Sequence, residues 1–203
     1  MITIVNYEMG NLRSIVNAFA FLGVSTRITS DLRDVETAEK LLIPGVGAFN
    51  AGMTNLNRLG LVGAIREAVQ TKGVPVLGIC LGMQLLAESS TEDGFTEGFG
   101  MVRAKVDRFS SRAEYRLPHI GFNQVELVGA TQSLFKGIGQ RKDFYFVHGF
   151  RVEATGADFE TGITSYGDVF VASIEHENVF GVQFHPEKSQ SNGLRLLENF
   201  ARI

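Results

Sequence analysis

The only cysteine of this 203-residue chain stands in the run Val74-Pro-Val-Leu-Gly-Ile-Cys80-Leu-Gly-Met-Gln-Leu-Leu86, where a buried strand is expected to turn sharply into an amphipathic helix. A thiol at such a corner is a candidate nucleophile. Gly78 and Gly82 bracket it as small residues bracket the nucleophile in the G-x-S-x-G pattern, because the tight strand-to-helix turn leaves no room for larger side chains. The helix beginning at Leu81 is expected to point its free N–H groups toward the sulfur, which favours thiolate over thiol. A lone cysteine is more often a small core residue. The bracketing glycines set Cys80 apart from that reading.

A cysteine nucleophile needs a base within hydrogen-bond reach and a third group to orient that base. Among the four histidines, His185 is the candidate: it ends the apolar run Val179–Phe184 and is followed by Pro186 and Glu187. In an extended backbone residues i and i+2 point the same way, which would bring the Glu187 carboxylate beside the His185 ring to fix its tautomer and stabilise the imidazolium. His119 reads as structural, and neither His148, after an apolar strand, nor His176, between two glutamates, is assigned to chemistry.

Acyl transfer also needs N–H donors for an oxyanion. Leu42-Ile-Pro-Gly45-Val-Gly47-Ala-Phe49 supplies a glycine loop after a second buried strand; Gly47 can turn its backbone toward a ligand, and the Leu81 N–H follows the nucleophile. The loop is no dinucleotide fingerprint, since the third glycine of G-x-G-x-x-G would fall at Asn50.

The elements that must position these residues alternate through the first ninety positions. Strands are expected at Ile2–Asn6, Ser25–Thr29, Leu41–Pro44 and Val74–Ile79, with helices at Leu12–Leu22 and Leu61–Val69. That alternation implies an α/β fold with a mainly parallel sheet flanked by helices. From Val102 the pattern changes to short runs, Val102–Phe109, Gly121–Val128, Phe144–Val152, Ile163–Ser165, Val169–Glu175 and Val179–Phe184, expected as antiparallel or mixed strands. A closing helix over Gly193–Phe200 presents Leu194, Leu197 and Phe200 on one stripe.

A hydrophobic content of 44% is ample for one core, and a single domain over 1–203 is expected. The net charge of −3 offers no basic footprint for nucleic acid, and no run approaches the roughly 18 apolar residues of a membrane span. The first residues carry no charged leader pattern, so a cytoplasmic location is expected.

With elbow, His185-Pro-Glu187 and glycine loop in place, the chain resembles the class I (triad) glutamine amidotransferases, whose signatures are G-x-C-x-G-x-Q and H-P-E. The resemblance runs nearly end to end, through Asn6-Tyr-Glu-Met-Gly-Asn-Leu-Arg-Ser14, Pro44–Phe49, Gly78–Leu86, Pro118-His-Ile-Gly-Phe-Asn123, Tyr145-Phe-Val-His148 and Gln183-Phe-His-Pro-Glu-Lys-Ser189. It implies a flavodoxin-like fold and a Cys80–His185–Glu187 triad that hydrolyses glutamine, with Gly47 and Leu81 at the oxyanion. It also implies that Gly45, Gln84, Gly149 and Phe150 hold the substrate. No cofactor or metal is implied. The motif order is that of subunits that pass ammonia to a separate (β/α)8-barrel synthase of histidine biosynthesis, and it places Asn11 and Lys188 toward that barrel, with a position near the same interface as the alternative to a structural role for His119. Two motifs depart from the pattern: Phe122 stands for the usual Trp, and His148-Gly149-Phe150 for His-Ser-Tyr. They leave open a paralogous barrel in cell-surface sugar pathways. A partner-binding scaffold with a silent triad is the reading from another class.

Overall fold

A computed structural model describes residues 1–110, 115–129 and 133–203. The first half alternates as its pattern requires: β1 (Ile2–Val5), α1 (Leu12–Phe21), β2 (Thr26–Thr29), α2 (Leu32–Glu36), β3 (Leu41–Gly45), α3 (Phe49–Arg58), α4 (Leu61–Arg66), β4 (Val76–Cys80) and α5 (Leu81–Leu85). The second half is mostly strand: β5 (Ser89–Ser90), β6 (Thr96–Glu97), β7 (Lys105–Arg108), β8 (His119–Leu127), β9 (Arg141–His148), β10 (Phe150–Val152), β11 (Glu160–Tyr166), β12 (Asp168–His176) and β13 (Val179–Val182). A 3₁₀ turn (Pro186–Lys188) and α6 (Gln190–Arg202) close the chain.

Nine strands form one sheet in the order β2-β1-β3-β4-β13-β12-β11-β8-β9. From β2 to β13 neighbours run parallel, in the 2-1-3-4-5 order of a flavodoxin-like sheet; from β13 to β9 they run antiparallel. The central strands β3, β4 and β13 are buried at every residue, as strands covered on both faces must be. Phe49, Met53, Leu56, Leu61 and Leu81 from α3, α4 and α5 join one core cluster, and Ile15, Phe19, Leu196, Leu197 and Phe200 from α1 and α6 join the other. Among the described residues, no helix is long and apolar enough to cross a membrane.

Three differences from the sequence expectations have physical causes. The run Phe144–Val152 is two strands: β9 pairs with β8 in the large sheet, whereas β10 pairs with β7 in a four-stranded sheet ordered β10-β7-β5-β6, and the chain crosses between them at Gly149. Helix α3 was hidden by its asparagines and Gly52, all weak helix formers, although Phe49, Gly52, Met53 and Leu56 fall on one buried stripe. Helix α2 is short and starts from Asp31, whose carboxylate accepts the Arg33 N–H.

Candidate active site

Cys80 ends β4 and precedes α5 with φ 54° and ψ −109°, a backbone conformation that non-glycine residues rarely adopt and that costs about 1–3 kcal/mol. The glycines around it are there for space. A Cβ on Gly82 would lie 1.7 Å from the Ile43 carbonyl oxygen of β3, and one on Gly78 would lie 2.6 Å from the Gly82 carbonyl. α5 therefore packs directly on two strands, which forces the strained turn and leaves the sulfur at the C-terminal edge of the sheet. Ligands of open α/β sheets bind at that edge.

His185 and Glu187 come to the same edge just beyond β13, the parallel neighbour of β4. His185 Nδ1 lies 2.8 Å from Glu187 Oε1, and both side chains are buried. The geometry differs from the extended one expected: Pro186–Lys188 is a 3₁₀ turn, so the carboxylate curls back onto the ring preceding it instead of lying beside it along a strand. Burial pulls the His185 pKa down, but the Cys80 sulfur and the Glu187 carboxylate near the ring outweigh burial and raise it to about 10. Among the described residues His185 Nε2, the ring nitrogen turned away from Glu187, has no hydrogen-bond partner.

Gln183, on the same segment, donates from Nε2 to the Cys80 sulfur at 3.7 Å. Its Oε1 accepts from Gln84 Nε2 at 2.9 Å, and Gln84 Nε2 also donates to the Phe150 carbonyl at 2.9 Å. Both amide hydrogens of Gln84 are thus used within the protein, and only its carbonyl oxygen remains for a ligand.

A cavity of about 320 Å³ opens over the sulfur. Gly47, Cys80, Leu81, Gln84, Gly149 and Phe150 line it together. Gly47 has φ 116°, which a side chain would strain, and the Leu81 N–H belongs to the unpaired first turn of α5. Gly45 is placed otherwise: it is buried behind the loop, where a Cβ would lie 2.1 Å from the Tyr7 hydroxyl, and it does not line the cavity. Asn11 and Lys188 are exposed and also off the cavity wall; Asn11 Nδ2 donates to Ser14 Oγ at 3.1 Å, and Lys188 Nζ stands 5.7 Å from the centre of the Tyr145 ring.

Two features escaped the sequence. Glu92 also lines the cavity and brings the one carboxylate among its described lining residues; it is held there by the Phe49 N–H, the first of α3, at 2.9 Å. Burial raises the Glu92 pKa, with the Phe49 bond acting against that. Nothing local marks Glu92 among the acidic residues of its loop; only the approach of α3 does. Gln183 could have been singled out, because it stands two residues before His185. Among the described residues no cluster of three or more His, Cys, Asp or Glu side chains could hold a metal ion.

A thiol at a strained strand end, coupled to a buried His–carboxylate pair beside a small cavity, is equipped for attack on a carbonyl. Comparison with known proteins points the same way. The family model for class-I glutamine amidotransferases matches residues 3–203. The chain is 43% identical, over the full length of both, to the imidazole glycerol phosphate synthase subunit HisH 1 of Campylobacter jejuni subsp. jejuni. It is 44% identical to the HisH subunit of Sulfurimonas denitrificans, covering 100% of this chain and 98% of that one. Among solved structures, one described as a glutamine amidotransferase superposes with a TM-score of 0.75 at 19% identity, covering 99% of each chain. The glutaminase domain of Trypanosoma brucei CTPS gives a TM-score of 0.68 at 17% identity, covering 99% of this chain and 93% of that one; both show the shared fold.

Proposed function

The chain belongs to the class-I glutamine amidotransferases, and on that premise we propose that it is the glutaminase subunit of an imidazole glycerol phosphate synthase, one domain over 1–203 acting in the cytoplasm. Cys80 as thiolate attacks the side-chain amide carbon of glutamine, and the Gly47 and Leu81 N–H groups receive the oxyanion. His185, as imidazolium, gives its proton to the departing nitrogen, and ammonia leaves behind a glutamyl thioester. Once the sulfur is acylated its negative charge is gone, so one of the two influences that raise the His185 pKa disappears. The ring is then free to take a proton from water, whose oxygen attacks the thioester and releases glutamate. Glu187 orients the ring throughout and compensates its charge.

Glutamine is held by complementary groups on the cavity wall. Glu92 meets the α-ammonium, the Gln84 carbonyl oxygen is free to accept, and the backbone at Gly149 and Phe150 receives the amino-acid end. Gly45 contributes by letting Tyr7 and the loop pack closely.

The acceptor is a (β/α)8-barrel protein, as the full-length identity to subunits named for this synthase supports. An exposed apolar face supports this: the pairing Ile120↔Val147 and Phe122↔Tyr145 puts these four side chains on one side of β8 and β9, with Ile120 60% and Phe122 52% exposed and Lys188 over Tyr145. Asn11 lies in the loop that packs through Gly10 on Gly45.

The observation that carries the reading is the placement of Cys80, at its strained turn after β4, and the buried His185–Glu187 pair, just beyond the parallel neighbour β13, at one edge of the sheet. Glutamate release by the chain mixed with the barrel synthase and its ribonucleotide substrate tests it. Release that depends on the barrel, its ligand and Cys80 is expected. Undiminished release by Cys80→Ala, or none from folded wild-type complex, would overturn it.

A further inference from the structure

Two buried histidines outside the proposed triad belong to a chain of hydrogen bonds that can run in only one direction. His148 Nδ1 lies 2.8 Å from the Phe150 carbonyl oxygen, which only accepts, so Nδ1 carries the proton. Neutral His148 then offers Nε2 as an acceptor, and His119 Nδ1, 3.1 Å away, must donate to it. His119 Nε2 is left as an acceptor and meets the Asn123 amide nitrogen at 3.4 Å; that nitrogen also donates to the Ser165 carbonyl at 2.9 Å. A further proton on either ring would disrupt the chain. On His148 it would set N–H against N–H across the 3.1 Å contact, and on His119 it would set N–H against the Asn123 amide. Burial already holds both rings neutral, with pKa values lowered to about 4 for His119 and about 3 for His148.

The rings have little freedom. His119 and His148 are register partners on β8 and β9, and the His119 ring stacks on Phe146 and on Tyr166 at centroid distances of 5.0 and 4.2 Å. One end of the chain is the Phe150 carbonyl, which also accepts from Gln84, so two donors fix it where the backbone leaves the large sheet and lines the cavity. The other end is Asn123 on β8, next to exposed Phe122.

We infer that His119 and His148 are positioning residues for the substrate: the chain Asn123–His119–His148 holds the Gly149–Phe150 wall in place and ties it to the strand that presents the apolar docking face. The kinetic part of this inference rests on the glutaminase reading; the direction of the chain does not.

Nitrogen-15 NMR of histidine-labelled protein reads the direction. Both residues are expected as neutral Nδ1–H tautomers, unchanged between about pH 6 and about pH 8. An Nε2–H tautomer or a charged ring at either position would overturn the chain. In the complex with the barrel synthase, His119→Phe keeps an aromatic ring and removes the donor; it is expected to raise the glutamine KM about tenfold while kcat changes less than about twofold. His119→Gln, which can donate and accept, is expected to recover most of that loss. An unchanged KM in His119→Phe would overturn the positioning role, as would a raised KM that His119→Gln does not relieve, since packing alone would then account for it. Absence of turnover in wild-type complex would remove the glutaminase reading and the positioning role with it, while the NMR assignment would stand, so the two failures read differently.

Discussion

Glu187 Oε1 meets His185 Nδ1 at 2.8 Å across a single 3₁₀ turn, with both side chains withdrawn from solvent. A carboxylate held so close to a buried ring acts on it more strongly than water could, because little solvent intervenes. Glu187→Gln keeps the size and loses the charge. Glutamate release in the barrel complex is expected to fall by about 10²-fold or more in kcat, with KM much less affected, as steady-state kinetics would show.

The proton affinity of His185 predicts a pH dependence. Its pKa lies near 10 in the folded chain against about 6.5 unfolded, so the folded state holds the proton more tightly. The stability this contributes is fully present below about pH 6.5 and is lost as pH rises through about 10. NMR titration of the His185 ring is expected to show that high midpoint in wild-type protein and a lower one in Cys80→Ala. A midpoint near 6.5 in both would refute the coupling.

Glu92 predicts a binding defect. Glu92→Gln is expected to raise the glutamine KM about tenfold or more with a smaller change in kcat, because it removes the one carboxylate among the described lining residues, the group proposed to meet the α-ammonium. With glutaramate, which lacks the amino group, wild-type and variant enzymes should be nearly equal.

Two glycines separate crowding from flexibility. Gly82→Ala places a Cβ against the Ile43 carbonyl and is expected to cost about 3 kcal/mol or more, a fall of about 10 °C in Tm for a chain of this size. Gly63, inside α4, is exposed with nothing within 4 Å of the added atom; Gly63→Ala is expected to stabilise by about 0.5–1 kcal/mol. Calorimetry on both variants checks the signs.

Phe122 tests the docking face. Phe122→Ala is expected to raise the Kd for the barrel synthase about tenfold, by titration calorimetry, while the rate of Cys80 alkylation by iodoacetamide in the isolated chain stays unchanged.

The local geometry around the thiol and the imidazole is legible in short stretches of residues. Gly78 and Gly82 around Cys80 declare a turn too tight for side chains, and His185 with Glu187 two residues on declares a ring with a carboxylate in reach. The alternation of strand and helix signals determined the parallel half of the sheet. All of these are short-range relations, set by backbone geometry over a few residues, and they survive even where detail differs, as with the 3₁₀ turn at Pro186–Lys188.

Which of these stretches lie side by side follows only from the folded chain. The parallel pairing of β13 with β4 brings Gln183 to a sulfur 103 positions away, and the approach of α3 to the loop between β5 and β6 aims Glu92 at the cavity. The register of β8 against β9 turns two unassigned histidines, 29 positions apart, into one hydrogen-bonded pair, and the crossing at Gly149 divides one apolar run between two sheets. Side-chain pattern reports which face of a strand is buried, but not which strand will be its neighbour or in what register. Those are settled by how the whole chain closes its core, and the wall of the cavity depends on both.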